Sequence, residues 1–387
     1  MRSRIAVGID VGSTSVRVVI TEHSGNGSHK IIGTGHSESK GVRHGYVVNE
    51  EEAARAVRQA VNQAEKASGK VVRSAFIAIG GIGIDETRGR GEVIVSRADA
   101  EVSELDVEKA IDVARESMKA RLVNRRILHT IPLSFRIDGE EVLGRPAGMR
   151  GSKIAVEVLF VTCLAQHADS IEAAVEGADV AVADTMASPL AGAIVTVTGA
   201  EKRAGCVLAN IGSESLSIVV FENSIPISVK VFKIGGVDIT KDIALGLRVP
   251  LEEAEALKLG AVLGAHYPKK KFDDIVAARF VDMFELIDAH LKKLGKDRLL
   301  PAGIILSGGG AGIASSKDIA EETLKLPSKI ARLGGRESGT IKDSSWAVAY
   351  GLTVWGLTGE SSDTSAMKNA AARLGGGAFK FFKQFLP

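Results

Sequence analysis

Apolar runs at residues 5–9 and 16–20 flank the polar bridge Asp10-Val11-Gly12-Ser13-Thr14-Ser15. Runs of this length, broken by Gly and Ser, predict two strands of a hairpin. Residues 30–35 predict a third strand. The period then changes: Ala53, Ala56, Val57, Ala60, Val61 and Ala64 recur at helical spacing within residues 50–67, with Asn49 at the N-cap. Residues 71–79 predict a strand that ends in Gly80-Gly81. Three strands, a helix and a strand make one α/β unit.

The next stretch, from about residue 84 to 160, looks inserted. It predicts a strand at 92–95, a helix at 103–118 with Ser103 and Asp106 spaced as a capping box, extended runs at 126–131 and 134–138, and a strand at 153–162. The turn-rich Pro146-Ala147-Gly148-Met149-Arg150-Gly151 reads as a connection. The α/β rhythm then resumes with a helix at 165–176, a short strand at 180–183 and an apolar helix at 190–197 led by Pro189. Residues 206–211, a Gly/Ser turn, 216–221 and 225–232 repeat the opening pattern. The chain therefore reads as two hairpin-led halves.

Helices are predicted at 240–247, 251–259 and 272–294, the last with Ile275, Val276, Phe280, Phe284, Ile287 and Leu291 in phase. Lys269-Lys270-Lys271 reads as a solvated helix entry. Residues 302–307 form a buried strand that runs into the glycine-rich turn Gly308-Gly309-Gly310. A strand at 329–333 and an apolar helix at 344–355 follow.

Composition sharpens this picture. A length of 387 residues suggests two or more domains, and 45% apolar residues allow sizeable cores. A net charge of +2 argues against a general nucleic-acid binder. Cys163 and Cys206 lie in apolar runs without metal-ligand spacing, which predicts buried thiols in a reducing compartment. No segment is a secretory signal or offers roughly 18 unbroken apolar residues for a membrane span. A cytosolic location is expected unless something anchors the chain.

The terminal residues supply such an anchor. Residues 357–377 are rich in Gly, Ser, Thr, Asp and Ala and read as a flexible linker. Wound as a helix, the last residues place Phe379, Phe381, Phe382, Phe385 and Leu386 on one side and Lys380, Lys383 and Gln384 on the other. This helix is shorter than the roughly 12–15 residues that are marginal in water. It suits the interface of an anionic membrane, with lysines toward the head groups; docking on its own protein is the other reading, against which the linker argues. Each buried Phe gains about 1.5–3 kcal/mol before ordering costs, so one copy attaches reversibly and an assembly attaches firmly.

Two turns carry candidate chemistry. In the first, exposed amides beside Gly12 and the hydroxyls of Ser13 and Thr14 suit an anion, and Asp10 suits the waters of a phosphate-bound Mg²⁺. An ordinary hairpin with a polar turn is an equal reading of that segment. It is not a Walker loop, which needs a Gly-Lys-Ser/Thr entry to a helix. The turn at Gly308-Gly309-Gly310 either passes a flat ring or ribose, or is a tight strand-to-helix connection.

These motifs, with Ile127-Leu128-His129-Thr130-Ile131-Pro132, the Pro146 to Gly151 loop, residues 236–244, residues 253–258 and the turn after Ser307, resemble the FtsA family of bacterial division actins along nearly the whole chain. The resemblance implies an α/β, actin-like two-lobed fold of ribonuclease-H-like duplicated halves. A family-specific α+β subdomain is inserted in it, and an amphipathic helix ends it. The implied parts are a first subdomain (1–84, 162–198 and 343–357), the insert (85–161) and a second subdomain (199–239 and 302–342). A helical subdomain (240–301), a linker (358–376) and a membrane helix (377–387) complete it.

The resemblance also implies ATP and Mg²⁺ in the cleft. Asp10, Gly12, Ser13 and Thr14 would lie at the phosphates, with Asn210, Gly212, Ser213 and Gly236 facing them. Gly308, Gly309 and Gly310 would lie near the adenosine, and Glu255 and Lys258 near the base or ribose. Asp10 would hold the metal through water. Implied partners are the C-terminal peptide of the tubulin-like FtsZ in the helical subdomain, further copies of the chain in a filament, other division proteins and the anionic membrane. The implied place is its cytoplasmic face at the division site.

The second hairpin departs from the family's Asp-x-Gly-Gly-Gly-Thr. Here Asn210-Ile211-Gly212-Ser213-Glu214-Ser215 lacks the first carboxylate and adds Glu214. Two unit charges about 4 Å apart repel by about 4 kcal/mol at an effective dielectric near 20. Ser15 stands where a basic residue is frequent, and Ser188 where hydrolysing relatives carry an acid. The expectation is an adaptor with at most weak ATPase activity. A pilus-assembly relative of the family and a small-molecule kinase of the superfamily are the alternatives. The kinase would need a catalytic Asp facing a substrate, and no such motif is found.

Overall fold

The computed structural model describes residues 4–23, 29–260, 267–333, 341 and 343–359. The linker and the aromatic terminal segment lie outside the described residues.

The first unit is β1 (Arg4–Val11), β2 (Ser15–His23), β3 (His29–Glu38), the short pair β4 (Val42–Arg43) and β5 (Tyr46–Val47), α1 (Glu50–Ser68) and β6 (Ser74–Ile79). The inserted stretch is β7 (Asp85–Ile94), α2 (Glu104–Ser117), β8 (Arg125–Ile137), β9 (Glu140–Val142) and β10 (Lys153–Leu164). Then come α3 (Ala165–Glu176), β11 (Ala181–Ala187), α4 (Ser188–Thr196) and α5 (Gly199–Ala204). The second half has β12 (Cys206–Ile211), β13 (Leu216–Glu222), β14 (Ile225–Phe232), α6 (Gly236–Leu247), α7 (Leu251–Lys258) and α8 (Lys269–Lys293). It closes with β15 (Ile304–Ser307), α9 (Ser316–Leu324), β16 (Ser328–Ile330) and α10 (Ala347–Gly359).

The two large sheets have the same plan. One runs β11-β6-β1-β2-β3 and the other, in the same sense, β16-β15-β12-β13-β14. In each, an antiparallel hairpin and third strand join two parallel strands. The hairpin repeat in the sequence is thus a repeat of whole sheets.

The local causes are visible in α1. Asn49 accepts the amide of Glu52, three glutamates occupy the first turn, and Gly69 ends the helix at φ 66°. Its six in-phase apolar residues are all buried, Val57 and Val61 contributing about 1.5–3 kcal/mol each. The helix lies close on β3 because Gly35 has no Cβ: one would fall 1.8 Å from the carbonyl oxygen of Ala60.

The insert is a separate antiparallel sheet, β7-β10-β8-β9, with α2 packed on it. Ser103 and Asp106 form the expected capping box. The runs expected at 126–131 and 134–138 are one strand, β8. Pro132 breaks the apolar pattern, but the strand tolerates it at a register shift opposite Val158. The loop Pro146 to Gly151 is bound to the segment before α2: the amides of Gly148 and Gly151 donate to Val102 and Ala100. Helices α5 and α9 were not expected; each is under ten residues and too short for a clear period.

The lobes share one core. Leu208, Val219, Phe221 and Ile305 of the second lobe pack in the same cluster as Ile9, Ile77 and Leu190 of the first. Glu86 of β7 adds a polar tie, accepting from Ser228 Oγ at 2.7 Å and from the Val229 amide at 2.6 Å on β14. Cys163 and Cys206 are buried free thiols, pushed by burial to about 11 and about 12.

Candidate functional site between the lobes

The two hairpins end in matching turns. Val11 pairs with Val16 and Ile211 with Leu216. In both, the glycine amide closes the turn, Gly12 onto the Ser15 carbonyl at 3.1 Å and Gly212 onto the Ser215 carbonyl at 2.9 Å. Ser13 corresponds to Ser213 and Thr14 to Glu214. Asp10, paired with Arg17, corresponds to Asn210, paired with Ser217.

This last difference is electrostatic. Burial pushes the Asp10 carboxyl up to about 6, with Arg17 acting in the opposite direction. Arg17 lies over the Trp346 ring, 5.8 Å from its centre. Asn210 brings no charge, and its Oδ1 packs on Gly308, where a Cβ would come within 2.3 Å of it.

The glycine-rich turn after β15 therefore sits on the second hairpin. Gly308 has φ 84° and ψ 176°, a region open only to glycine. Gly310 packs on Ile211, while a Cβ on Gly309 would meet nothing within 4 Å. The open face at Gly309 suits a flat group laid on backbone.

The N-terminus of α6 is fastened to the second turn. The amides of Gly236 and Val237 donate to the carbonyls of Gly212 and Ser213 at 2.9 and 2.8 Å. Lys258 reaches back from α7, and its ammonium donates to the Gly236 carbonyl at 3.1 Å, Thr240 Oγ1 at 2.8 Å and Glu255 at 2.6 Å. With three protons and three acceptors, Lys258 is a pin between α6 and α7. Glu255 is more exposed, its side chain at 44%. It is the better placed of the two to accept from a ligand hydroxyl.

One feature of the first lobe was missed in the sequence. His44-Gly45 is the two-residue turn of the β4–β5 hairpin, with φ 49° and 85°. The Gly45 amide donates to Ser13 Oγ at 2.9 Å, and the His44 amide to the Glu214 carboxylate at 2.5 Å. One hairpin tip thus touches the turns of both large hairpins. Glu214 is 11% exposed at its side chain, 3.7 Å from the Arg43 guanidinium. It neither faces solvent nor stands unpaired. A polar dipeptide ending in Gly between Val42-Arg43 and Tyr46-Val47 was the available sign.

His129 was also missed as a positioning group. Its Nε2 accepts the Ala187 amide at 2.9 Å, immediately before Ser188 and α4. Burial lowers its pKa to about 3, so it stays a neutral acceptor.

The donor set fits a magnesium nucleotide in a limited way. Among the described residues no three His, Cys, Asp or Glu gather into a metal site, and Asp10 is the carboxylate at the first turn. Mg²⁺ bound mainly by water and phosphates asks for no more. No helix among the described residues is long and apolar enough to cross a membrane.

Comparison with known proteins matches residues 207–351 to the family "Cell division protein FtsA" and residues 83–162 to "SHS2 domain inserted in FTSA". A cell division protein FtsA of Pseudomonas aeruginosa is 29% identical, covering 94% of this chain and 91% of its own. One from Bacillus subtilis is 29% identical over 85% of this chain and 79% of its own. Among solved structures, a PilM-PilN type IV pilus biogenesis complex has a similar fold. Its TM-score is 0.68 at 17% identity, covering 91% of this chain and 98% of that one. MreB5 of Spiroplasma citri bound to AMPPNP is similar at TM-score 0.53 and 13% identity, covering 96% and 100%. The fold is actin-like, with the insert carried inside the first lobe.

Proposed function

The chain belongs to the FtsA family of cell division proteins, and we propose that it binds ATP with Mg²⁺ between its lobes, polymerises on the cytoplasmic membrane face and tethers FtsZ filaments there. The observation that carries the nucleotide part is the pairing of two like turns at one hairpin tip, with the open Gly309 face beside them. Asp10 would hold the water shell of Mg²⁺. The amides and hydroxyls of Ser13, Thr14 and Ser213 would take the phosphates, with Gly12 and Gly212, whose amides close the turns, letting the backbone come close. Glu255 would take a ribose hydroxyl, and Gly308 to Gly310 would carry the adenosine. Bound Mg²⁺ would neutralise phosphate charge; the chain's own residues bind and orient.

Hydrolysis is slow in this reading. Neither Ser188 nor Asn210 offers a carboxylate to activate water. The chain is an adaptor first. Its helical unit exposes Leu245, Leu251 and Leu259, which an amphipathic FtsZ peptide would cover. The aromatic face of Phe379, Phe381, Phe382, Phe385 and Leu386, with Lys380 and Lys383, would hold the assembly on anionic lipid at the division site.

Two measurements test these parts separately. Equilibrium dialysis with ATP and Mg²⁺ should give saturable binding that falls on chelation of the metal; no binding at millimolar ATP sinks the nucleotide part. Sedimentation with anionic vesicles should depend on residues 377–387; an unchanged pellet after their deletion sinks the tether.

A further inference from the structure

We propose that the His44-Gly45 tip, with Arg43, is the seat of the terminal phosphate of a bound nucleoside triphosphate, and that Glu214 is a built-in carboxylate filling that seat when the phosphate is absent. This rests on the nucleotide reading above and adds to it a residue that selects between nucleotides.

The tip is built to hold an anion. His44 and Gly45, both at positive φ, turn their amides outward, so each donates to a side chain rather than to the hairpin's own backbone. The tip cannot retreat. Ile82 donates its amide to the His44 carbonyl at 3.2 Å. Gly45 lies so close on Gly81 that a Cβ would come within 2.4 Å of the Gly81 Cα. Ser13 Oγ takes the Gly45 amide and fixes the tip on the first turn. The His44 amide and the Arg43 guanidinium remain, and both face the Glu214 carboxylate. The His44 ring adds a second link, its Nδ1 lying 3.2 Å from the Glu214 carbonyl oxygen.

The occupant comes from the other lobe. Register places Glu214 where the first hairpin has Thr14. A hydroxyl there would stop short of this role. The carboxylate instead crosses the cleft and ties the second turn to the first lobe. A carboxylate and a terminal phosphate cannot share one amide and one guanidinium, since like charges at this range disfavour each other strongly. A triphosphate must expel Glu214 and break the tie. A diphosphate leaves it in place. Glu214 thus weakens triphosphate binding selectively and couples the terminal phosphate to the link between lobes.

The test uses the full chain, its Glu214→Gln form and its Glu214→Thr form, which copies the first turn. Each is dialysed with Mg²⁺ and either ADP or a non-hydrolysable ATP analogue. Both variants should bind the analogue about tenfold tighter relative to ADP than the unaltered chain does. In the nucleotide-free state, Glu214→Thr should also speed amide exchange at residues 43–46 while leaving β1 and β12 protected. If both nucleotides bind and the ratio is unchanged, the inference falls and the nucleotide reading stands. Unchanged exchange at the tip overturns it as well. If neither nucleotide binds any of the three proteins, the nucleotide reading itself falls.

Discussion

The turns Asp10-Val11-Gly12-Ser13-Thr14-Ser15 and Asn210-Ile211-Gly212-Ser213-Glu214-Ser215 share backbone, register and closing hydrogen bond, yet they handle charge in opposite ways. The first keeps its carboxylate inside, at the strand end, opposite a half-buried arginine. The second puts an amide inside and moves its carboxylate to the tip of the turn. Each turn therefore has one acid, at a different depth. The inner acid suits a metal shell. The outer acid finds a partner on the far lobe. A fold can thus repeat a backbone faithfully while the two copies divide the electrostatic work between them.

The largest expected effect comes from the turn that only the second hairpin supports. Gly308→Ala forces a side chain into a glycine-only conformation and onto Asn210. It should lose about 3 kcal/mol in chemical denaturation, whereas Gly309→Ala should stay within about 0.5 kcal/mol. Equal losses would mean that the third turn does not lean on the second hairpin.

Asp10→Asn makes the first turn copy the second. The folded carboxyl sits at about 6 against an ordinary 3.8. Raised in this way, it favours the folded state at low pH, and that contribution is lost as pH rises from 3.8 to about 6. The variant should therefore be more stable than the unaltered chain at pH 7, by about 2–3 kcal/mol as an upper bound, with the gain shrinking on acidification. Denaturation midpoints across that range check the sign. Dialysis should show Mg²⁺-dependent ATP binding weakened about tenfold or more. A variant less stable at neutral pH would refute the buried-charge account.

His129→Phe probes how each lobe holds the helix at its site. The second lobe fastens α6 with turn carbonyls, but the first fastens the start of α4 through an imidazole from the insert. Removing that acceptor should cost about 1–3 kcal/mol. Exchange of the Ala187 amide should speed, and an unaltered rate there would refute the role.

Arg43→Ala gives the smallest change. Its side chain is 75% exposed and 3.7 Å from Glu214, so the loss in stability should be under about 1 kcal/mol and vanish in high salt. A larger, salt-independent loss would mean that the outer acid depends on this cation more than on the His44 amide.

Much of the fold was legible because its signals are local. Apolar runs marked the strands of both hairpins, helical periods marked α1 and α8, and Asn49 and Ser103 marked the starts of α1 and α2. Elements failed to show where the local signal was short or broken, as in α5, α9 and the strand through Pro132. Among the site residues, Gly236, Glu255 and Lys258 do converge, although Lys258 is spent on internal hydrogen bonds. Glu214 stands out in the sequence as a charge in the second turn; its partner across the lobes does not.

Residues within a few positions of one another are enough to set the two hairpins, their glycine turns, the elements of the insert and the inventory of charges. Tertiary structure alone decided where those charges act. Glu214 meets the His44 amide across 170 positions of chain, and His129 meets Ala187 across 58. Such contacts follow from how two sheets and an insert pack around one core. No period or spacing along the chain encodes the direction in which a side chain at the tip of a turn will find its counter-charge.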